Sequence, residues 1–189
     1  RRGIVARRRT IDWLEAQPEV DPTRISAFGI SMGGIATAVL GSIEPRVHSS
    51  VIALAGGDLA SVVMTSDEGR VVQYRKARLG EEKVTPAELE TKLRDALLDD
   101  PVKLAAYADP SRFLMFIARR DTTVPTRNQL LLRDALGKPK TFDLPTSHYS
   151  TMFYTPFVRA QSTTWLLERM QEPNPRVVST EVEAAARKP

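Results

Sequence analysis

One serine, one histidine and one aspartate are placed along the chain so that they could perform acyl transfer. Ser31 lies in the pentapeptide Gly29-Ile30-Ser31-Met32-Gly33, between an apolar run and a helix-forming run. A serine hydroxyl becomes a nucleophile when a histidine removes its proton and a carboxylate holds that histidine in the right tautomer. The residues considered for these two roles are His148 and Asp121.

The pentapeptide predicts a very tight turn between a strand over Ile25–Phe28 and a helix that includes Ile35–Leu40. A serine at the tip of such a turn takes a strained backbone conformation, and its Oγ projects from the end of the sheet. Gly29 and Gly33 fit this turn because neither has a Cβ that could collide there. The alternative is a glycine-rich turn in which Ser31 only caps the helix.

The base is chosen from two histidines. His48 begins the second predicted strand, ahead of its carboxyl end, whereas His148 follows the carboxyl end of the fourth. Parallel sheets carry their ligand sites at the carboxyl ends of the strands. The base is therefore predicted to be His148, and the alternative is a loop histidine in solvent.

The acid is predicted to be Asp121, which lies just past the carboxyl end of the third predicted strand. Asp58, which follows the second strand, is the runner-up. Asp143 is less suitable because it lies within the fourth strand, too near the histidine in sequence. Asp121 has a second interpretation as the N-cap of the helix predicted from Thr126, since aspartate is a preferred cap residue.

Strands and helices alternate along the chain, which predicts an α/β fold with about four parallel strands flanked by helices. The strands are predicted at 25–28, 47–55, 112–118 and 140–144, and the flanking helices at 2–17, 35–40, 126–136 and 156–170. A helical insertion at 59–110, with helices at 59–79, 86–98 and 101–107, interrupts this domain over residues 1–170. Residues 171–189 are predicted to be a loose tail.

Two segments of the chain resemble the α/β-hydrolase superfamily, and the resemblance covers about residues 4–170. The Gly-Ile-Ser-Met-Gly-Gly run resembles the nucleophile elbow of its serine esterases and of its prolyl-oligopeptidase-like or dienelactone-hydrolase-like members. Asp121-Thr-Thr-Val-Pro125 resembles the segment that carries the catalytic acid. The order Ser31, Asp121, His148 is also the order that this fold uses.

The resemblance implies a serine hydrolase without a metal or other cofactor. The leading interpretation is a carboxylesterase that cleaves a small-molecule ester through an acyl-enzyme. The backbone N–H of Met32 is the expected first oxyanion-hole donor. Peptidases, thioesterases and acyltransferases share the same elbow and stay open. The insertion occupies the position of a lid, and Met64, Tyr74 and Tyr107 are candidate lining residues, although core packing is the favoured interpretation of such side chains.

The resemblance does not include the amino-terminal strands of the superfamily. Its members place several strands before the elbow, whereas only 30 residues precede Ser31 here. The strand at Ile25–Phe28 would then lie at an open edge. We expect the carboxyl-terminal part of a larger hydrolase, with an amino-terminal segment or partner chain missing. A hydrolase-like interaction module without catalytic activity is the alternative.

Composition limits the class of protein and the kinds of site that the chain can form. The 189 residues, 42% hydrophobic and 26% charged, suit one globular domain, and no apolar stretch reaches membrane-spanning length. Cysteine is absent, which excludes disulfides and a cysteine nucleophile and leaves the redox compartment open. A net charge of +4 is too mild to argue for nucleic acid, and the basic residues are not interleaved with aromatic ones.

Overall fold

Four parallel strands form one sheet, and they lie side by side in the order in which they occur in the chain. The computed structural model describes residues 2–177. The strands are β1 (Ser26–Ile30), β2 (Ser49–Ala53), β3 (Phe113–Ala118) and β4 (Lys140–Leu144). This sheet and the helices around it confirm the predicted α/β fold class.

The helices cover both faces of the sheet. One face packs against α2 (Met32–Ile43), α6 (Pro101–Leu104) and α7 (Thr126–Ala135) through a core that includes Ile52, Met115 and Leu132. The other face packs against α8 (Thr155–Arg169) through Phe116 and Trp165. No helix within residues 2–177 combines the length and the apolar character needed to cross a membrane. The helices are α1 (Arg2–Glu15), α2 (Met32–Ile43), α3 (Leu59–Thr65), α4 (Gly69–Glu82), α5 (Pro86–Ala96), α6 (Pro101–Leu104), α7 (Thr126–Ala135) and α8 (Thr155–Arg169).

The largest difference from the predicted elements lies in the insertion. The helix predicted over 59–79 is two helices, α3 and α4, separated at residues 66–68. Ser66 leaves the helical conformation and its Oγ donates a hydrogen bond to the Thr123 carbonyl, while Glu68 caps α4 through the Val71 N–H. Contacts with a distant loop therefore break a helix that local sequence favours.

The first strand lies at an edge of the sheet, as predicted, and begins and ends later than predicted, at Ser26 and Ile30. Within the described residues it pairs with β2 alone. Phe28 and Ile30 point to the same face and are 50% and 49% exposed. By contrast, every residue of β2 and β3 is buried.

Asn174 anchors the stretch that follows α8. Its side chain is fully buried, its N–H donates to the Thr23 carbonyl and its Nδ2 donates to the Pro45 carbonyl. Asn174 is therefore held against the domain, and the loose tail expected over 171–189 stays a prediction. Residues 178–189 of that predicted tail lie outside the described residues.

A buried carboxylate joins α1 to the end of α2. Glu44 has a side chain that is 1% exposed, and it accepts hydrogen bonds from Arg8 and from Arg46. Burial alone would raise the pKa of the Glu44 carboxyl, but the hydrogen bonds from Arg46 and Arg8 outweigh it and lower that pKa from 4.5 to about 2. Since α2 begins next to Ser31, this cluster supports the helix that carries the nucleophile candidate.

We predict that Glu44→Gln lowers the free energy of unfolding by about 3 kcal/mol at pH 7. The folded-state pKa lies below the unfolded one, so the contribution is complete above about pH 4.5 and is lost as the pH falls through about 2. Urea unfolding at pH 7 and pH 3 measures the difference in the free energy of unfolding between wild type and variant. This difference is expected to be smaller at pH 3. Glu90→Gln, in the surface pair with Arg94, is the control and costs about 0.5 kcal/mol or less. Equal effects of the two variants would contradict the prediction.

Candidate active site

Ser31 occupies the turn between β1 and α2 in a conformation that side chains rarely adopt. Its backbone has φ 55° and ψ −123°. Its N–H donates to the Ala53 carbonyl at 2.8 Å, which ties the turn to the neighbouring strand β2. Its side chain makes no capping hydrogen bond to α2. The cap interpretation of Ser31 is therefore wrong, and the hydroxyl is available to other partners.

Two glycines allow this turn, and they are not the pair predicted. A Cβ at Gly29 would overlap the Gly33 carbonyl and the Thr37 hydroxyl, so β1 and α2 can approach only because Gly29 has none. A Cβ at Gly34 would lie 2.8 Å from the Ala53 carbonyl oxygen. At Gly33 a Cβ would meet nothing within 4 Å. The prediction that Gly33 avoids a collision is therefore wrong, and the crowding falls on Gly34.

The structure brings Ser31, His148 and Asp121 together in one hydrogen-bonded chain. His148 Nε2 lies 2.9 Å from Ser31 Oγ, and His148 Nδ1 lies 2.7 Å from Asp121 Oδ2. The side chain of His148 is 11% exposed and that of Asp121 is fully buried. With a proton on Nδ1, the ring donates to the carboxylate and its Nε2 accepts from the hydroxyl.

Every oxygen of the Asp121 carboxylate has a fixed partner. Oδ1 accepts from the N–H groups of Thr123 and Val124, each at 2.9 Å. Oδ2 accepts from Gln129 Nε2 at 2.8 Å in addition to the histidine. These donors compensate the carboxylate for its burial. Its side chain does not cap α7, so the N-cap interpretation of Asp121 is wrong.

Gln129 is a site residue that sequence reasoning missed. It is fully buried in α7, its Nε2 also donates to the Val124 carbonyl, and its Oε1 accepts from the Ala118 N–H. A signal was present in the sequence, because Gln129 precedes Leu132 and Leu136 by three and seven residues, on one helical face. A polar side chain on a buried helix face requires polar partners.

The other candidate residues lie elsewhere. His48 is buried at the amino end of β2, where its ring nitrogens contact Ser49 Oγ and the Glu172 carbonyl. Asp58 forms a two-point ion pair with Arg94. Asp143 pairs with Arg119 on the surface. None of these three side chains contacts His148 by a hydrogen bond.

Met32 is the first residue of α2, immediately after Ser31. The first N–H groups of a helix have no partner within that helix, and the positive end of its dipole lies there. The Met32 N–H is therefore available beside the Ser31 hydroxyl. The Met32 side chain is 80% exposed.

Two cavities meet at His148. An apolar groove of about 730 Å³ runs between the exposed face of β1 and α8, and its lining includes Phe28, Ile30, Leu54, Met152 and Leu166. A polar cavity of about 320 Å³ on another side is lined by residues that include Asp67, Glu68, Thr122 and Ser147.

The three candidate lining residues of the insertion do not border these two cavities. Met64 packs against the buried cluster of Ala60, Leu89 and Leu93. Tyr74 and Tyr107 are 46% and 67% exposed. The insertion reaches the polar cavity through residues 67–69 instead. Across residues 2–177, acidic and histidine side chains do not gather in a group of three that could hold a metal ion.

No protein-family model matches the sequence, and no curated protein matches it. Known structures do match. Acetyl xylan esterase 1 from Thermoanaerobacterium sp. JW/SL YS485 is 19% identical with a TM-score of 0.64, over 88% of this chain and 52% of that one. The acylaminoacyl peptidase of Pyrococcus horikoshii is 16% identical with a TM-score of 0.61, over 86% of this chain and 26% of that one.

The alpha/beta hydrolase GrgF from Penicillium sp. sh18 is also similar, with 16% identity and a TM-score of 0.58 over 89% of this chain and 72% of that one. These likenesses establish an α/β-hydrolase-like fold. The chain spans about half the length of the esterase and about a quarter of the length of the peptidase.

We predict that Gly29→Ala lowers the free energy of unfolding by about 3 kcal/mol, because the new Cβ forces β1 and α2 apart. Gly33→Ala is the matched control. It adds the same methyl group two residues beyond Ser31, where the space is open, and leaves stability equal or slightly raised. Thermal and urea unfolding of both variants measure the difference. A Gly33→Ala effect as large as that of Gly29→Ala would contradict this account of the turn.

Proposed function

We propose that this protein is a serine hydrolase that cleaves a carboxylic ester through an acyl-enzyme, with Ser31 as nucleophile, His148 as general base and Asp121 as the orienting acid. The hydrogen-bonded chain of 2.9 Å and 2.7 Å between these side chains carries the proposal. Both distances lie within the range for direct proton transfer and for a strong charge-assisted hydrogen bond. The α/β-hydrolase-like fold supports it as well.

In the proposed first step, Ser31 Oγ attacks the ester carbonyl carbon while its proton moves to His148 Nε2. The carbonyl electron pair moves onto oxygen, and the Met32 N–H donates to this oxyanion. When the tetrahedral intermediate collapses, the bond to the alcohol breaks and His148 returns the proton to the leaving oxygen. The acyl group is then bound to Ser31.

Water completes the cycle by the same steps. His148 takes a proton from water, the resulting hydroxide attacks the acyl carbon, and the Ser31–acyl bond breaks as the proton returns to Ser31 Oγ. Asp121 stays ionised throughout and stabilises the imidazolium that forms twice per turnover. The two N–H groups and the Gln129 amide that hold this carboxylate fix the ring orientation.

The ester class fits the surroundings of the proposed nucleophile. The groove beside His148 is lined mainly by aliphatic and aromatic side chains, which suit an apolar acyl or alcohol group. The similar structures include an acetyl xylan esterase and an acylaminoacyl peptidase, so the fold alone does not choose between ester and peptide. Peptidase, thioesterase and acyltransferase activities on the same residues remain alternatives.

We also propose that a further polypeptide segment, from a longer chain or a partner chain, pairs with β1 and contributes a second oxyanion donor. Two kinds of observation support this proposal. Phe28 and Ile30 are exposed beside an apolar groove, and this chain covers only about half the length of the similar esterase. The same features favour the second candidate function, a hydrolase-like module that binds a partner without catalysis.

We predict that Ser31→Ala lowers kcat for a small activated ester by about 10³-fold or more, because the nucleophile is removed. Labelling with a fluorophosphonate, followed by peptide mass spectrometry, should place the adduct on Ser31 in the wild type. Ser61→Ala, a serine of α3 outside the three-residue chain, is the matched control and keeps both labelling and turnover. Undiminished hydrolysis by Ser31→Ala would exclude the assignment, and a folded wild type without any adduct would support the binding module.

We predict that the protein purified from its native source is heavier than 21.0 kDa, or is bound to a second chain. Intact-mass measurement and size exclusion decide this. A native mass near 21.0 kDa with full esterase activity would refute the missing segment.

A further inference from the structure

A short segment of the insertion is hydrogen-bonded to the loop that carries Asp121. Residues 66 and 67, between α3 and α4, make four hydrogen bonds to the dipeptide Thr122-Thr123. Ser66 Oγ donates to the Thr123 carbonyl at 2.6 Å, and the Asp67 N–H donates to the Thr122 carbonyl at 3.2 Å. In return, the Thr122 and Thr123 hydroxyls donate to the two Asp67 carboxylate oxygens at 2.5 and 3.1 Å.

The same dipeptide is therefore held by two carboxylates. Asp121 accepts from the backbone N–H of Thr123 and of Val124, while Asp67 accepts from the hydroxyls of Thr122 and Thr123. A shift of this dipeptide would move the N–H donors of Asp121 and, through Asp121, the ring of His148. Asp67 can thus influence the orientation of His148, the proposed base, although it makes no direct contact with Ser31.

Asp67 also lies near the proposed base, because the side chains of Asp67 and His148 line the same polar cavity. The hydrogen bond from Thr122 is the largest cause of the lowered pKa of Asp67, and the positive form of His148 lowers this pKa as well. The ionised form of Asp67 is therefore favoured, and this form accepts from both threonine hydroxyls.

Other charged groups border His148 from the remaining sides. Asp121 accepts from its Nδ1, Glu68 lines the polar cavity with Asp67, and Arg159 of α8 lines the apolar groove. The Glu68 carboxylate accepts a hydrogen bond from the Val71 N–H in the first turn of α4. Among the acidic side chains of this cavity, only Asp67 bonds to the loop that carries Asp121.

We infer that Asp67 is a positioning residue for the proposed serine hydrolase: it couples the helical insertion to the loop that carries Asp121 and so holds the Asp121 carboxylate against the ring of His148. This inference rests on the proposed function. It assigns the insertion a role in the proposed reaction.

Two variants remove the Asp67 contacts to different extents. Asp67→Ala removes both the acceptors and the charge. Asp67→Asn removes the charge and keeps one carbonyl acceptor for the threonine hydroxyls. Glu88→Ala is the matched control within the insertion, because it breaks the capping box that begins α5 without touching the Asp121 loop.

The first measurement is the rate at which a fluorophosphonate labels Ser31. We expect Asp67→Ala to slow labelling about 10-fold, Asp67→Asn to slow it about 3-fold, and Glu88→Ala to leave it unchanged.

The second measurement does not need the reaction. The chain has two histidines, so ring resonances labelled with ¹⁵N can be assigned by comparison with His48→Gln. The Nδ1 resonance of His148, which reports the hydrogen bond to Asp121, is expected to shift in both Asp67 variants and to stay unchanged in Glu88→Ala.

The outcomes separate the inference from the function on which it rests. Wild-type protein that does not label at Ser31 contradicts the proposed hydrolase, and the His148 resonances still test the link between Asp67 and His148. Labelling rates and His148 resonances equal to wild type in both Asp67 variants overturn the inference. It is also overturned if Glu88→Ala reproduces their effects, because general loosening of the insertion then explains them.

Discussion

The position of the Ser31 hydroxyl depends on how closely β1 approaches α2. A side chain at Gly29 would overlap the backbone of Gly33, so the turn can close only around a residue without a Cβ. The strain of the turn is concentrated in Ser31, with φ at 55°, and a hydrogen bond from its N–H to the Ala53 carbonyl holds it in place. The position of the Ser31 hydroxyl is therefore a property of the backbone.

Two buried carboxylates support this geometry from opposite ends of the sheet. Glu44, where α2 ends, is held by two arginines, and Asp121, beyond β3, is held by two N–H groups, an amide and the proposed base. Losing the charge of either group weakens charge-assisted hydrogen bonds, which are stronger than ordinary ones. The first fixes the helix behind the nucleophile candidate, and the second fixes the ring in front of it.

The sequence could predict the residues that meet at the site because chain order and the parallel sheet suffice to bring them to one edge. Ser31, Asp121 and His148 each follow a strand end, and the structure places them in contact. Residues whose role depends on tertiary contact were not predictable in this way. Gln129 lies in an ordinary helix, Gly34 is crowded by β2, and the break after α3 arises from a loop 57 residues away along the chain.

β1 forms one edge of the sheet, and the proposed nucleophile directly follows it in the chain. β1 is paired on one side in the described residues, and the side chains of Phe28 and Ile30 on its exposed face line the groove that reaches His148. A strand added at this edge would cover part of those side chains and restrict β1, which ends just before Ser31. It would also enclose the site and lower its local dielectric, which strengthens the interaction between His148 and Asp121. Completing the sheet and completing the site would thus be one physical event.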